Sequence, residues 1–168
     1  VSQLDVRTLL IAIAAVNVLV AVTMYVFQKS QRVYPGFGLW TTAAAVLALS
    51  YMLFFLRDLV PEAFTVVLAS VLSSLGAVIR LDGLWRFLGR RRFTVWLLAV
   101  PLMVLVAMSL LTYARNDPFG RALVVGVAGL LIFGATSVVV VRSAWGRKRP
   151  AYLAAGVVFA AYAALILG

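Results

Sequence analysis

Arg80, Asp82 and Arg86 are the residues whose types and spacing most invite a chemical reading. They lie in Ser70–Arg92, SVLSSLGAVIRLDGLWRFLGRRR, which begins as an apolar run and ends as a basic cluster. Asp82 and Arg86 are four apart on a helix, so they share a face and can pair. Arg80 lies deeper in the apolar run and must snorkel or find a partner. The other acids, Asp5, Asp58, Glu62 and Asp117, stand at the ends of apolar runs, and no two acids make an acid–base pair. The chain has no cysteine and no histidine, which removes thiolate chemistry, disulfides and the commonest haem and zinc ligand. Ser73 and Ser74 have no histidine to activate them. The two lysines, Lys29 and Lys148, fall in loops, so neither a serine–lysine nucleophile nor a mid-span Schiff base is expected. Met24, Met52, Met103 and Met108 share no spacing that suggests haem ligation. The expectation is no catalysis by this chain, no metal and no cofactor.

The elements that carry these residues are membrane spans. The 168 residues are 65% hydrophobic and only 12% charged, whereas a soluble domain is about half apolar and a quarter charged. Apolar runs of bilayer length recur, and the alternation of a transmembrane barrel is absent. The net charge of +10 does not point to nucleic acid, because the arginines punctuate span ends. The opening VSQLDVRTLL lacks the basic region and cleavage site of a signal peptide.

The reading is an all-α, polytopic transmembrane bundle of six spans, at about 6–28, 39–59, 61–89, 93–114, 119–145 and 151–168, forming a single domain. Asn17 in the first span needs a hydrogen-bond partner, expected on a neighbouring helix, and Ser73 and Ser74 are read as interhelical polar contacts too. The loop QKSQRVYPGFG carries the turn signal Pro35-Gly36 and the interfacial aromatics Tyr34 and Phe37, with Trp40 just beyond. Pro61 and Glu62 suit the first turn of the third helix, so spans two and three form a hairpin. Ser70, Ser73, Ser74, Gly76 and Ala77 make the middle of span three small and polar, as at a packed helix interface. Pro101 interrupts span four and is expected to kink it or free a carbonyl. Asp117 and Pro118 read as N-cap and first residue of span five. Ala122, Gly126, Gly129 and Gly134 give that span a smooth packing surface, and Gly156, Ala160 and Ala164 make a small-residue stripe on span six.

Charge sets the orientation. Lys29, Arg32, Arg80, Arg86, Arg90, Arg91, Arg92, Arg142, Arg147, Lys148 and Arg149 fall on one side, and Arg7, Arg57, Arg115 and Arg121 on the other. The excess places the first side in the cytoplasm and the N-terminus outside. Six spans then leave Gly168 outside as well. The abrupt apolar ending leads us to expect a chain cut before a further span.

The order of LDVRTLL at the first span, YPG followed by LW at the second, LRDLVPE between spans two and three, and RLDGLWRFLGRRR at the end of span three resembles a known arrangement. It is similar to the multi-span N-terminal membrane region of bacterial GGDEF-domain diguanylate cyclases. The likeness covers the first 92 residues and, more loosely, the rest. It implies a sensory input module in the bacterial inner membrane, acting as a homodimer in the full-length protein. The output domain, which would condense two GTP into cyclic di-GMP, is not in this sequence, and no GG[DE]EF motif or nucleotide-binding signature is present.

A sensor of this kind needs a cavity between helices and a few polar groups. Ser50, Tyr51, Ser70, Thr112 and Tyr113 lie in the outer half, where a ligand from outside arrives first, and Arg57 at the same face could meet an anionic head group. These six are the candidate site for a small apolar or amphipathic ligand, although for any one of them helix packing or an interhelical hydrogen bond is the commoner role. Arg80, Asp82 and Arg86 anchor the cytoplasmic end and are candidates for coupling to an output domain. The lipid bilayer is the remaining partner. A small-molecule transporter or an accessory membrane protein is the alternative.

Overall fold

The computed structural model describes residues 3–57, 59–89, 94–114 and 117–147. Among the described residues every regular element is helical: α1 (Gln3–Ser30), α2 (Phe37–Phe55), α3 (Ala69–Phe87), α4 (Thr94–Tyr113) and α5 (Pro118–Arg147). A π-helical turn, Ala63–Leu68, leads directly into α3. Four helical stretches are long and apolar enough to cross a membrane: Thr8–Ser30, Phe37–Phe55, Phe64–Phe87 and Pro118–Arg142. The apolar part of α4, Leu98–Tyr113, is shorter. The chain is thus a membrane-type helical bundle. Four spans are evident rather than six, because α4 is short over its described apolar part and 151–168 lies outside the described residues.

The third helix is the centre of the bundle. Half of its apolar window is buried, against 11% for α1. It packs against α2, α4 and α5, whereas among the described helices α1 meets α2 alone. The small middle of α3 explains its place: Ala69, Ser70, Ser74 and Gly76 are buried, opposite Ala43, Ala44, Leu47 and Ala48 of α2. A Cβ on Gly76 would lie 2.8 Å from Leu47 Cγ, so only glycine lets the two helices approach this closely. Ser50 Oγ donates to the Ala69 carbonyl oxygen at 2.7 Å across the same interface.

The π-helical turn departs from the expected α start. Pro61 supplies the first acceptor, its carbonyl taking Phe64 N–H at 3.0 Å and Thr65 N–H at 3.3 Å. The Ala69 N–H then reaches back five residues to the Phe64 carbonyl. Thr65, Val66 and Val67 in this turn are all buried. Val66 and Val67 join Val104 and Met108 of α4 and Ala128 of α5 in one apolar cluster.

Other boundaries follow the sequence closely. The Phe119 N–H donates to Asp117 Oδ1 at 3.0 Å, which makes Asp117 the N-cap and Pro118 the first residue of α5. Helix α2 ends at Phe55 rather than Leu59, since Leu56 to Val60 turn back towards Pro61. Asp58 lies outside the described residues, as do Arg90, Arg91, Arg92, Arg115, Lys148 and Arg149.

Candidate functional site

The two loop signatures quoted above meet each other in space. Gly36, at φ 93°, occupies the left-handed region that favours glycine and begins α2. It sits directly on the backbone of Gly83 in α3, leaving no room for a Cβ on either residue. Trp40, one turn into α2, lies against Gly83, and its indole Nε1–H donates to the Arg80 carbonyl oxygen at 3.1 Å. Phe87 closes the contact, with its ring centroid 5.7 Å from Tyr34 in an edge-to-face arrangement and 5.8 Å from Trp40. Of the aromatics expected at a lipid interface, Trp40 packs on α3, Phe37 meets Phe27 of α1 with ring centroids 5.9 Å apart, and Tyr34 stays exposed beside Phe87. On the same helix end, Arg86 Nη2 and Nε reach Asp82 Oδ2 at 2.9 and 3.2 Å. The i, i+4 pair is formed as its spacing implied.

At the other end of the bundle, Glu62 Oε2 lies 3.7 Å from Arg121 Nη1. This ion pair ties the α2–α3 hairpin to α5. It joins two span-end charges that are 59 positions apart in sequence, and no local spacing rule could have found it.

Between these two fastenings runs a groove of about 880 Å³, within the size range of a single small-ligand site. Its floor is one seam of α3, Ser70, Ser73, Ala77, Arg80 and Leu84, joined by Trp40, Leu47 and Tyr51 of α2. Val20 and Met24 of α1 form one side. Gly126, Gly129, Ile132 and Phe133 of α5 form the other. From Ser70 to Leu84 the helix rise carries it about 21 Å, some two-thirds of a hydrocarbon core about 30 Å thick. Arg80 is the one charged side chain lining the groove among the described residues, and no ion-pair partner faces it there. Ser70 is only 4% exposed, and its hydroxyl has no hydrogen-bond partner among the described residues.

The groove takes in Tyr51 and Ser70 from the six candidate ligand residues and leaves the other four elsewhere. Ser50 is fully buried and committed to Ala69. Thr112 is buried away from the groove lining, and Tyr113 and Arg57 are exposed. The charged end of the groove is set by Arg80, at the opposite face from Arg57. Two polar expectations are corrected. Asn17 Nδ2 donates to the Ile13 carbonyl in its own helix at 2.8 Å, and Ser74 Oγ donates to the Val71 carbonyl at 2.8 Å. Short polar side chains one turn from a backbone carbonyl satisfy themselves locally and need no second helix. Ser73 opens onto the groove. Among the described residues Gly126 and Gly129 line the groove, and a Cβ on Gly134 would meet nothing within 4 Å.

No metal-binding group of acids is present among the described residues. Comparison of the chain with protein-family models, with curated proteins and with solved structures gives no match.

Proposed function

We propose that this chain is the membrane-embedded input domain of a bacterial signalling protein. It senses a small apolar or amphipathic ligand, or the state of the membrane. Through this it regulates a cytoplasmic diguanylate cyclase, joined to it in the parent protein by a further span beyond Gly168. The observation that carries the reading is the groove: a ligand-sized space, apolar on two sides, whose one charged group among the described residues stands where the two signature segments dock. No described residue lining it is arranged for bond-breaking chemistry, and binding is what such a space does best.

The reading includes six spans in the inner membrane, with the N-terminus outside and the basic loops in the cytoplasm. The groove's Arg80 end then faces the cytoplasm, the side on which an output domain would lie. A ligand shifts a two-state bundle only through its different affinity for the two states. Here the difference would arise at Trp40 and Arg80, which belong both to the groove and to the docked segments. Cyclase domains act in pairs, so the parent would work as a homodimer. Transport is less well supported, because a single arginine gives a coupling ion no pair of titratable groups to use.

The test is to follow the gene past Gly168 and measure cyclic di-GMP in cells producing the full-length protein. Trp40→Phe keeps an aromatic ring against Phe87 and removes the bond to Arg80. It should change the basal cyclic di-GMP level by several-fold. A gene without a GGDEF domain, or an output indifferent to Trp40→Phe, would sink the proposal.

A further inference from the structure

The groove has two polar features of different kinds, and together they describe an occupant. Arg80 supplies a cation at one end, and no acid lines the groove among the described residues to neutralise it. The Arg80 side chain is exposed, so an anionic group in the groove can reach its guanidinium, whereas a cationic ligand would meet repulsion there. Ser70 supplies a buried hydroxyl that can donate, and nothing among the described residues accepts from it. The ten helical steps from Ser70 to Arg80 correspond to about 15 Å along α3. Val20, Met24, Leu47, Val125, Ile132 and Phe133 line the space with apolar surface.

We propose that the groove binds a single-chain anionic amphiphile: a long-chain fatty acid that carries a hydroxyl or oxo group part-way along its chain. The carboxylate meets the Arg80 guanidinium. The chain runs along the Ser73–Ala77 seam towards the middle of the membrane. Its oxygen accepts from the Ser70 hydroxyl, a group costly to leave unpaired in apolar surroundings. A fatty acid reaches such a site by partitioning through the bilayer. The openness between α1 and α5, which do not touch among the described helices, gives it a lateral entrance. A two-chain phospholipid is disfavoured by the volume of about 880 Å³, which is of the order of one small ligand. This proposal rests on the reading of the groove as a ligand site, and not on the identity of the output domain.

The test uses the purified chain in detergent, carrying Trp85→Phe, Trp96→Phe and Trp145→Phe so that Trp40 is its one tryptophan, with dibromostearate as a tracer that quenches its fluorescence. Displacement of the tracer by ricinoleate, oleate and oleyl alcohol then compares ligands differing by one group at a time. Ricinoleate, which is oleate with a mid-chain hydroxyl, should displace several-fold better than oleate, and oleate about ten-fold better than the alcohol. Arg80→Ala should abolish the preference for acid over alcohol, and Arg80→Lys should retain it. Ser70→Ala should abolish the preference for ricinoleate over oleate while leaving the other intact. Equal displacement by acid and alcohol, or equal displacement by ricinoleate and oleate, overturns the assignment. So does a tracer that never enters, as when a bilayer phospholipid, a second copy or residues 151–168 hold the groove. Binding without any cyclic di-GMP response in the full-length protein upholds this ligand class and defeats the sensory reading. A response to these acids without binding to the groove does the reverse.

Discussion

The indole Nε1–H of Trp40 donates to the backbone carbonyl oxygen of Arg80 at 3.1 Å, although forty residues separate them in sequence. The bond makes the start of α2 and the end of α3 one unit. It also places Trp40 beside the only charged side chain of the groove lining among the described residues.

That unit depends on two glycines. A Cβ on Gly83 would lie 2.6 Å from Trp40 Cδ1 and 3.1 Å from the Gly36 carbonyl oxygen. Gly83→Ala should therefore push Trp40 away and destabilise the bundle by about 1–3 kcal/mol, the usual cost of overpacking. Gly36→Ala should cost more, because it adds the strain of a left-handed φ to a clash with backbone. Thermal unfolding in detergent, followed by helical circular dichroism, gives the order Gly36→Ala, Gly83→Ala, wild type from lowest to highest midpoint.

The Asp82–Arg86 pair is asymmetric, with side chains 11% and 32% exposed respectively. Removing the arginine strands a nearly buried carboxylate. Removing the carboxylate leaves an arginine that reaches solvent. Arg86→Ala should cost about 2 kcal/mol, below the range for a fully buried pair, and Asp82→Asn less. The double variant should be more stable than Arg86→Ala alone. A double-mutant cycle on unfolding free energies measures this directly, and additive effects would refute it.

Ser50 and Arg57 separate packing from binding. Ser50→Ala loses the buried bond to Ala69 and should cost about 1 kcal/mol of stability with ligand displacement unchanged. Arg57→Ala and Tyr113→Phe alter exposed residues outside the groove lining. They should stay within about 0.5 kcal/mol of wild type and bind ligand as it does. A weakened affinity in either would return the site to the face opposite Arg80.

Orientation can be tested without background, since the chain has no cysteine. Ser30→Cys and Leu59→Cys lie beyond opposite ends of α2. With the N-terminus outside, an impermeant maleimide added to intact cells should label Leu59→Cys and spare Ser30→Cys until the membrane is opened. The opposite pattern would invert the topology and put Arg80 at the outer face.

Much of this fold could be read from the sequence because its signals are local. The Asp117–Pro118 helix start, the Asp82–Arg86 spacing, the small middle of α3 and the tight α2–α3 connection each depend on a few neighbouring residues. The groove could not be read, because among the described residues it is a space between α1 and α5, which do not touch there, and no local spacing encodes it. Arg57 follows from a ligand's direction of approach, which local sequence can suggest. That Arg80 borders the groove is a matter of which helices stand apart, which it cannot. Likewise YPG, LW and RLDGLWRF could be noticed as separate signatures, but their contact joins positions 36 and 83, beyond any periodicity. The π-helical turn escaped because Pro61 and Glu62 announce a helix without stating its width.

That wide turn gives the chain an uneven tolerance of length. Within Ala69–Leu84, one residue removed rotates everything beyond it by about 100°, which would swing Arg80 off the groove and Gly83 away from Gly36. Between Ala63 and Leu68 the turn already holds a surplus residue, so one removed there can be absorbed as the π turn tightens to α, with the downstream faces unchanged. Insertions and deletions in homologous genes should therefore gather at this point and be rare along the seam that follows it.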